Sequence, residues 1–278
     1  MAISASDVKA LREKTGAGMM DCKKALTEAN GDFNQAERIL KELGLAAAAK
    51  RSDRETNEGR IFTLVKNLKA GILEMGCETD FVARNKDFIN YGNTILEKII
   101  DEGLSEVTSE LEEIVKEAVS IIKENITISK FKIIDIADNE LVVDYVHGEG
   151  TIAVLIKLGL ENAGLKDNDT VKEFAFDTAL HVAAFNPAYL DVNSVEPDYL
   201  KEQEDIFRTQ AKNLGKPENV VEGIVKGKLN KHMSEICLQN QPFVKDDKVS
   251  VSKKASEISK EAGGTVTVKD FVYYGIGK

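Results

Sequence analysis

No apolar run in the sequence approaches the ~20 residues needed to cross a bilayer; Leu43 to Ala49 is short and alanine-rich. The amino terminus, Met1-Ala-Ile-Ser-Ala-Ser-Asp-Val8, lacks a basic segment followed by an apolar one, so no secretory signal is expected. Cysteine is scarce: Cys22, Cys77 and Cys237 are odd in number and far apart, which fits a reducing cytoplasm better than a disulfide framework. The three histidines, His147, His181 and His232, are not spaced as ligand pairs. CxxC, HExxH, GxSxG and GxGxxG are all missing. Gly223-Ile-Val-Lys-Gly-Lys228 is one residue short of a phosphate-binding loop, has Leu229 where Ser or Thr is needed, and lies inside a helical pattern. An excess of cations is missing as well. The 37 basic against 47 acidic residues give a net charge of −10, whereas a protein that wraps nucleic acid needs clustered cations to displace counterions. No catalytic residue, metal ligand or cofactor is assigned, and no direct contact with nucleic acid or membrane is expected.

What is present is organisation. A chain of 278 residues corresponds to about two domains, and the pattern is α+β. Residues 1–45 read as three short helices. Ser6 is placed to cap the first, and Cys22, Ala25, Leu26 and Ala29 line the second. Asp32 and Gln35 open the third, which carries Phe33, Ala36, Ile39, Leu40 and Leu43 on one face and is expected to end at Gly44. Residues 46–58 form a linker, alanine-rich and then charged, that reads as an extended helix or a tether. From 59 to 139 the order is strand, strand, helix, helix, strand. Arg60–Val65 and Ala70–Cys77 form a hairpin about Lys66-Asn-Leu-Lys69. A helix over 85–100 buries Phe88, Gly92, Ile95, Leu96 and Ile99. Ser109 and Glu112 box the next helix, and a strand follows over 126–136.

Residues 140–278 repeat that order. Strands over 141–146 and 151–160, a helix over 171–184, a helix near 255–262 and a strand over 265–274 reproduce it. Ile72-Leu-Glu-Met-Gly-Cys-Glu78 matches Leu155-Ile-Lys-Leu-Gly-Leu-Glu161, and Thr127-Ile-Ser-Lys-Phe131 matches Thr267-Val-Lys-Asp-Phe271. Residues 195–238 interrupt the second half. Leu200, Gln203, Phe207, Gln210 and Leu214 line one arm and Val221, Val225, Leu229, His232 and Ile236 the other, with Gly215-Lys-Pro217 between them. This spacing predicts an antiparallel helical hairpin of coiled-coil type, its seam weakened by polar residues.

One segment, Glu78-Thr-Asp-Phe-Val-Ala-Arg84, follows a strand and precedes a helix. In one reading Asp80 caps the helix while Phe81 and Val82 enter the core. In the other Phe81 protrudes beside a carboxylate, as an interface anchor does.

At Leu11-Arg-Glu-Lys-Thr-Gly-Ala-Gly-Met-Met-Asp-Cys-Lys-Lys-Ala-Leu26 and Thr79-Asp-Phe-Val-Ala83 the chain strongly resembles the two signature segments of bacterial elongation factor Ts. The likeness continues through Tyr145-Val-His-Gly148, His181-Val-Ala-Ala184, Gly215-Lys-Pro217 and Ser234-Glu-Ile-Cys-Leu-Gln-Asn-Gln-Pro-Phe-Val244. The resemblance implies a cytoplasmic translation factor that exchanges guanine nucleotide on elongation factor Tu, binding its GDP form and holding its nucleotide-free state, with no catalytic site of its own. It implies a UBA-like N-terminal bundle, a duplicated α+β core and a helical hairpin. It implies that Thr79, Asp80, Phe81 and Val82 enter the partner's GTPase domain and displace its Mg²⁺. Met19 and Met20, placed in the loop entering the second helix, are taken as the apolar contacts of the bundle, with Lys23 supplying a charge, and the bundle is expected to act by tethering. His147 and Gly148 are carried over as further contacts, while His181 leans to packing. Self-association through the core or the hairpin stays open. So do two other readings: an adaptor without effect on nucleotides, and an enzyme assembled from distant carboxylates with His147 or His181. Gly76 stands where the family usually has Asn, which is expected to loosen the strand end, and the extra C-terminal helical module of some relatives is not expected.

Overall fold

The computed structural model describes residues 3–215 and 217–277. Met1 and Ala2, Lys216 in the turn expected between the hairpin arms, and Lys278 lie outside the described residues. The chain divides into two units. The first holds the residues up to Ile134 with Val146–Ile152 and those from Tyr274; the second holds Asp135–Tyr145 and Ala153–Tyr273.

The first unit opens with α1 (Ala5–Thr15), α2 (Met19–Glu28) and α3 (Phe33–Ala49). Ser4, not Ser6, caps α1: its hydroxyl accepts from the Asp7 amide at 3.1 Å, and the Asp7 carboxylate accepts from the Ser4 amide at 3.0 Å. Only the earlier serine has an acidic partner three residues on, so only it closes a reciprocal box. Asp32 caps α3 by accepting from Gln35. Val8, Leu11, Cys22, Ala25, Leu26, Ala36 and Leu40 make a small core.

Gly44 does not end α3. A Cβ at Gly44 would stand 2.1 Å from the Ser120 Oγ, so the glycine serves close approach to a neighbouring helix, and the alanines beyond it favour continued helix.

After the bundle come β1 (Glu58–Lys66) and β2 (Lys69–Cys77), paired antiparallel with Lys66 opposite Lys69 and Asn67 at φ 56° in the turn. Then follow α4 (Asp80–Ala83), α5 (Lys86–Glu102), α6 (Ser109–Ile122) and β3 (Ile126–Asp135), giving the sheet order β1-β2-β3. Asn85 caps α5. Thr108 caps α6, one residue before the expected Ser109, because its hydroxyl reaches the Leu111 amide at 3.4 Å. Phe62, Leu73, Met75, Phe88, Ile95, Leu96, Ile99, Leu111 and Ala118 fill the core between sheet and helices.

β4 (Glu140–His147) and β5 (Ile152–Leu160) are followed by α7 (Asp169–Phe185), α8 (Pro197–Asn213), α9 (Glu218–Ile236), β6 (Pro242–Phe243), β7 (Asp246–Ser250), α10 (Val251–Ala262) and β8 (Val266–Gly275). The second three-stranded sheet has the order β4-β5-β8, so in both sheets the strand reached last lies beside the second. Val154, Ile156, Leu158, Phe174, Val182, Phe243 and Ile258 pack the second unit. α8 and α9 run in opposite senses: Tyr199 meets His232 at 2.8 Å, Gln210 meets Lys228 at 2.6 Å, and Arg208 pairs with Glu222. The buried seam passes through Ala211, Val221 and Val225 rather than Gln210 and Leu214, which are exposed. Ala211 follows Phe207 by four residues and keeps its face, while Leu214 lies past the last turn of α8.

Among the described residues no helix is long and apolar enough to cross a membrane, and no group of His, Cys, Asp and Glu could hold a metal ion.

Candidate partner-binding site

The turn after β2 is built on Thr79, not Asp80. Thr79 is extended (φ −129°, ψ 153°) and its hydroxyl accepts from the Val82 amide at 3.4 Å, capping α4. The N-cap residue must lie outside the helix, and Asp80 is already its first residue. Val82 and Ala83 are buried in the core under the turn, whereas Phe81 is 81% exposed, the most exposed large apolar side chain among the described residues. Sinking Val82 forces its neighbour outward, since adjacent residues on a helix point about 100° apart. The turn is therefore anchored on one side and apolar to solvent on the other.

Behind it stand two carboxylates. Glu124, between α6 and β3, accepts from the Glu78 and Thr79 amides at 3.1 and 3.0 Å and from the Thr79 hydroxyl at 2.7 Å. Glu78 returns the arrangement by accepting from the Asn125 amide at 2.6 Å, and it pairs with Arg54 at 3.3 Å. The buried Asn125 side chain donates to the carbonyls of Ser52 and Arg54 at 3.3 and 2.7 Å. Burial first, and the Glu124 charge second, push the Cys77 thiol up to about 12. It stays protonated and donates to the Thr79 carbonyl at 3.2 Å.

At the front, half-exposed Asp80 pairs with Arg84 at 3.4 Å, and Arg84 pairs with Glu149 at 3.1 Å. That second pair fastens the His147–Gly150 loop beside the turn. His147 and Gly148 are exposed there, with Gly148 at φ 55°. The structure thus brings Thr79–Val82 and His147–Gly148 together through a residue that sequence reasoning did not single out. Glu124 was missed too. It lies 45 residues from Thr79, so no local spacing marks the pair.

Gly76 does not loosen the strand end. It lies opposite Gly59 in the β1–β2 register. A Cβ on it would sit 2.8 Å from the hydroxyl oxygens of both Thr56 and Thr127, which bond each other at 3.0 Å. Close approach requires the missing side chain there.

Met19 and Met20 lie in α2, as Lys23 does, and not in a loop before it; all three are exposed. Gly18, with backbone in the extended region, opens the helix at Met19 without a side-chain cap. The bundle is not free on a tether. Gly44 abuts Ser120, Gly16 approaches Ile121, and Asp21 pairs with Lys123 at 3.8 Å. The segment after α3 is held at Ser52 and Arg54 by Asn125. Of its charged side chains, Arg54 pairs with Glu78 at 3.3 Å.

His181, by contrast, is fully buried in the second unit. Its Nε2 meets Gln241 Oε1 at 2.8 Å and its ring lies against Phe185 and Phe243. It packs.

The family described as Elongation factor TS matches residues 78–278. Elongation factor Ts of Treponema denticola is 48% identical over 277 residues, covering 100% of this chain and 99% of the relative. Elongation factor Ts of Borrelia recurrentis is 47% identical over the full length of both. The protein of that name from Borreliella burgdorferi is 47% identical over 99% of each.

Proposed function

The chain belongs to the elongation factor Ts family, a family of translation elongation factors, and from that premise we propose that it exchanges guanine nucleotide on elongation factor Tu. A GTPase holds its nucleotide through phosphate-binding groups and Mg²⁺. An exchanger needs no catalytic base. It must bind the nucleotide-free conformation more tightly than the GDP form, and reciprocity then weakens GDP by the factor that GDP weakens it. The chain binds the GDP form, promotes release, and stabilises the empty state until GTP arrives.

The observation that carries this reading is Phe81: an aromatic side chain 81% exposed on a turn whose other residues are buried, hydrogen-bonded or ion-paired. Single apolar side chains at a surface are ordinary; an aromatic one this exposed, on a turn held from behind, has the form of an interface anchor that fills a partner's pocket. Phe81 wedges into the GTPase domain near the Mg²⁺ site, Thr79, Asp80 and Val82 shape that wedge, and the metal is displaced. Asp80 acts there by charge and hydrogen bonding. Met19 and Met20, adaptable apolar groups, and Lys23 dock the bundle on the same domain. His147 and Gly148 extend the contact.

The modules follow the same reading: a UBA-like bundle over 1–45, a connector over 46–58, core halves over 59–139 and 140–278, and a helical hairpin over about 195–238 that meets the partner or a second copy. The working compartment is the cytoplasm. Release of fluorescent GDP from purified elongation factor Tu tests the reading. Acceleration by the chain supports exchange; binding without acceleration would make it an adaptor instead.

A further inference from the structure

The Glu124 carboxylate accepts from two adjacent residues: the Glu78 amide at 3.1 Å, the Thr79 amide at 3.0 Å and the Thr79 hydroxyl at 2.7 Å. Two successive amides aimed at one carboxylate oxygen, with a hydroxyl on the other, fix both the direction in which β2 is left and the rotamer of the residue that caps α4. Glu78 and Asn125 lock the reverse side, Glu78 accepting from the Asn125 amide at 2.6 Å. Glu124 touches neither Phe81 nor Asp80 among the hydrogen bonds and ion pairs described. It does set the backbone from which both project.

Resting on the exchange reading above, we infer that Glu124 is a positioning residue: it holds the Thr79–Val82 turn in its protruding form before the partner arrives, so that Phe81 enters without first having to be ordered. A wedge that must be ordered during insertion returns part of its binding energy as conformational entropy. The loss falls on the inserted state, in which GDP leaves. It does not fall on the first encounter, which other surfaces support.

The test compares Glu124→Ala, Glu124→Gln and Phe81→Ala with the unaltered chain. GDP release from elongation factor Tu is followed over a full range of factor concentration, with the melting temperature of each factor alone. Positioning predicts that Glu124→Ala lowers the plateau rate about tenfold or more, as expected for losing hydrogen bonds to a charged group, with little change in the concentration for half-maximal effect. Glu124→Gln keeps an acceptor and is expected to recover most of the plateau. A merely structural role gives another pattern: a smaller folded fraction raises the half-maximal concentration and leaves the plateau intact. That pattern, or an unchanged plateau beside a lowered one for Phe81→Ala, overturns the inference while leaving the wedge standing. An unchanged plateau for Phe81→Ala would instead overturn the wedge reading and this inference with it. Should Glu124→Ala not fold at the assay temperature, Glu124→Asp, whose carboxylate is drawn back from the two amides by one methylene, decides through amide hydrogen exchange. Faster exchange at Glu78 and Thr79 than in the unaltered chain, with β1–β2 amides unchanged, supports the clamp; unchanged exchange at those two amides refutes it.

Discussion

Phe81 and Val82 are neighbours with opposite fates, and the difference gives a sharp expectation at the scale of single residues. Because Phe81 is exposed in the free chain, Phe81→Ala should leave the melting temperature nearly unchanged, as surface substitutions do within about 0.5 kcal/mol. At the partner it should remove roughly 1.5–3 kcal/mol of apolar burial, on the order of 10- to 100-fold in GDP release. A melt lowered by the roughly 3–5 kcal/mol of a core phenylalanine would contradict the exposed position. His181 supports a pH prediction. Burial lowers its pKa below the usual histidine value of 6.5, against an opposing push from its hydrogen bond to Gln241, and its buried Nδ1 lacks a hydrogen-bond partner. The folded state therefore holds fewer protons than the unfolded chain as pH falls below about 6.5. The stability contributed by neutral His181 is present in full above that pH and is lost towards the lowered folded pKa. Denaturant melts between pH 7.5 and 5 should show the decline, and His181→Leu should flatten it; an equal slope in that variant would place the titration elsewhere.

Helices and strands with strong periodicity were legible as elements: the 85–100 pattern corresponds to α5 with Phe88, Ile95, Leu96 and Ile99 all buried, and Lys66-Asn-Leu-Lys69 is the β1–β2 turn. Ends were less legible. Gly44 looks like a stop in sequence because glycine disfavours helix, yet the constraint on it comes from Ser120 on another element. The segment at 79–82 was legible as a candidate, but the choice between core and anchor was not, since it depends on Val82 sinking into a core assembled from distant residues. Glu124 and Arg84 were illegible for the same reason. The Gly44 contact has a sign that separates local from tertiary effects. In an isolated helix Gly44→Ala would stabilise by about 1 kcal/mol; against Ser120 the added methyl overpacks, costing roughly 1–3 kcal/mol. A lowered melting temperature is expected, and a raised one would show that α3 does not press on α6.

Over the whole chain, the bundle and the turn are parts of one unit joined through α6: the bundle rests on Ser120 and Ile121, and the residues just past α6 hold the turn. Removing residues 1–50 should therefore do two things. It should raise the factor concentration needed for half-maximal exchange, by loss of the Met19, Met20 and Lys23 contacts and of effective concentration. It should also lower the melting temperature by uncovering α6, which a flexibly tethered bundle would not do. The plateau rate should largely survive, because Arg54, Glu78, Glu124 and Asn125 remain to hold the turn. The most direct measurement of the central claim is the release of fluorescent GDP from elongation factor Tu at saturating factor, taken side by side for the unaltered chain and Phe81→Ala with matched melts. The account predicts strong acceleration by the first and on the order of 10- to 100-fold less by the second. No acceleration by the unaltered chain, or equal acceleration by both, would contradict it.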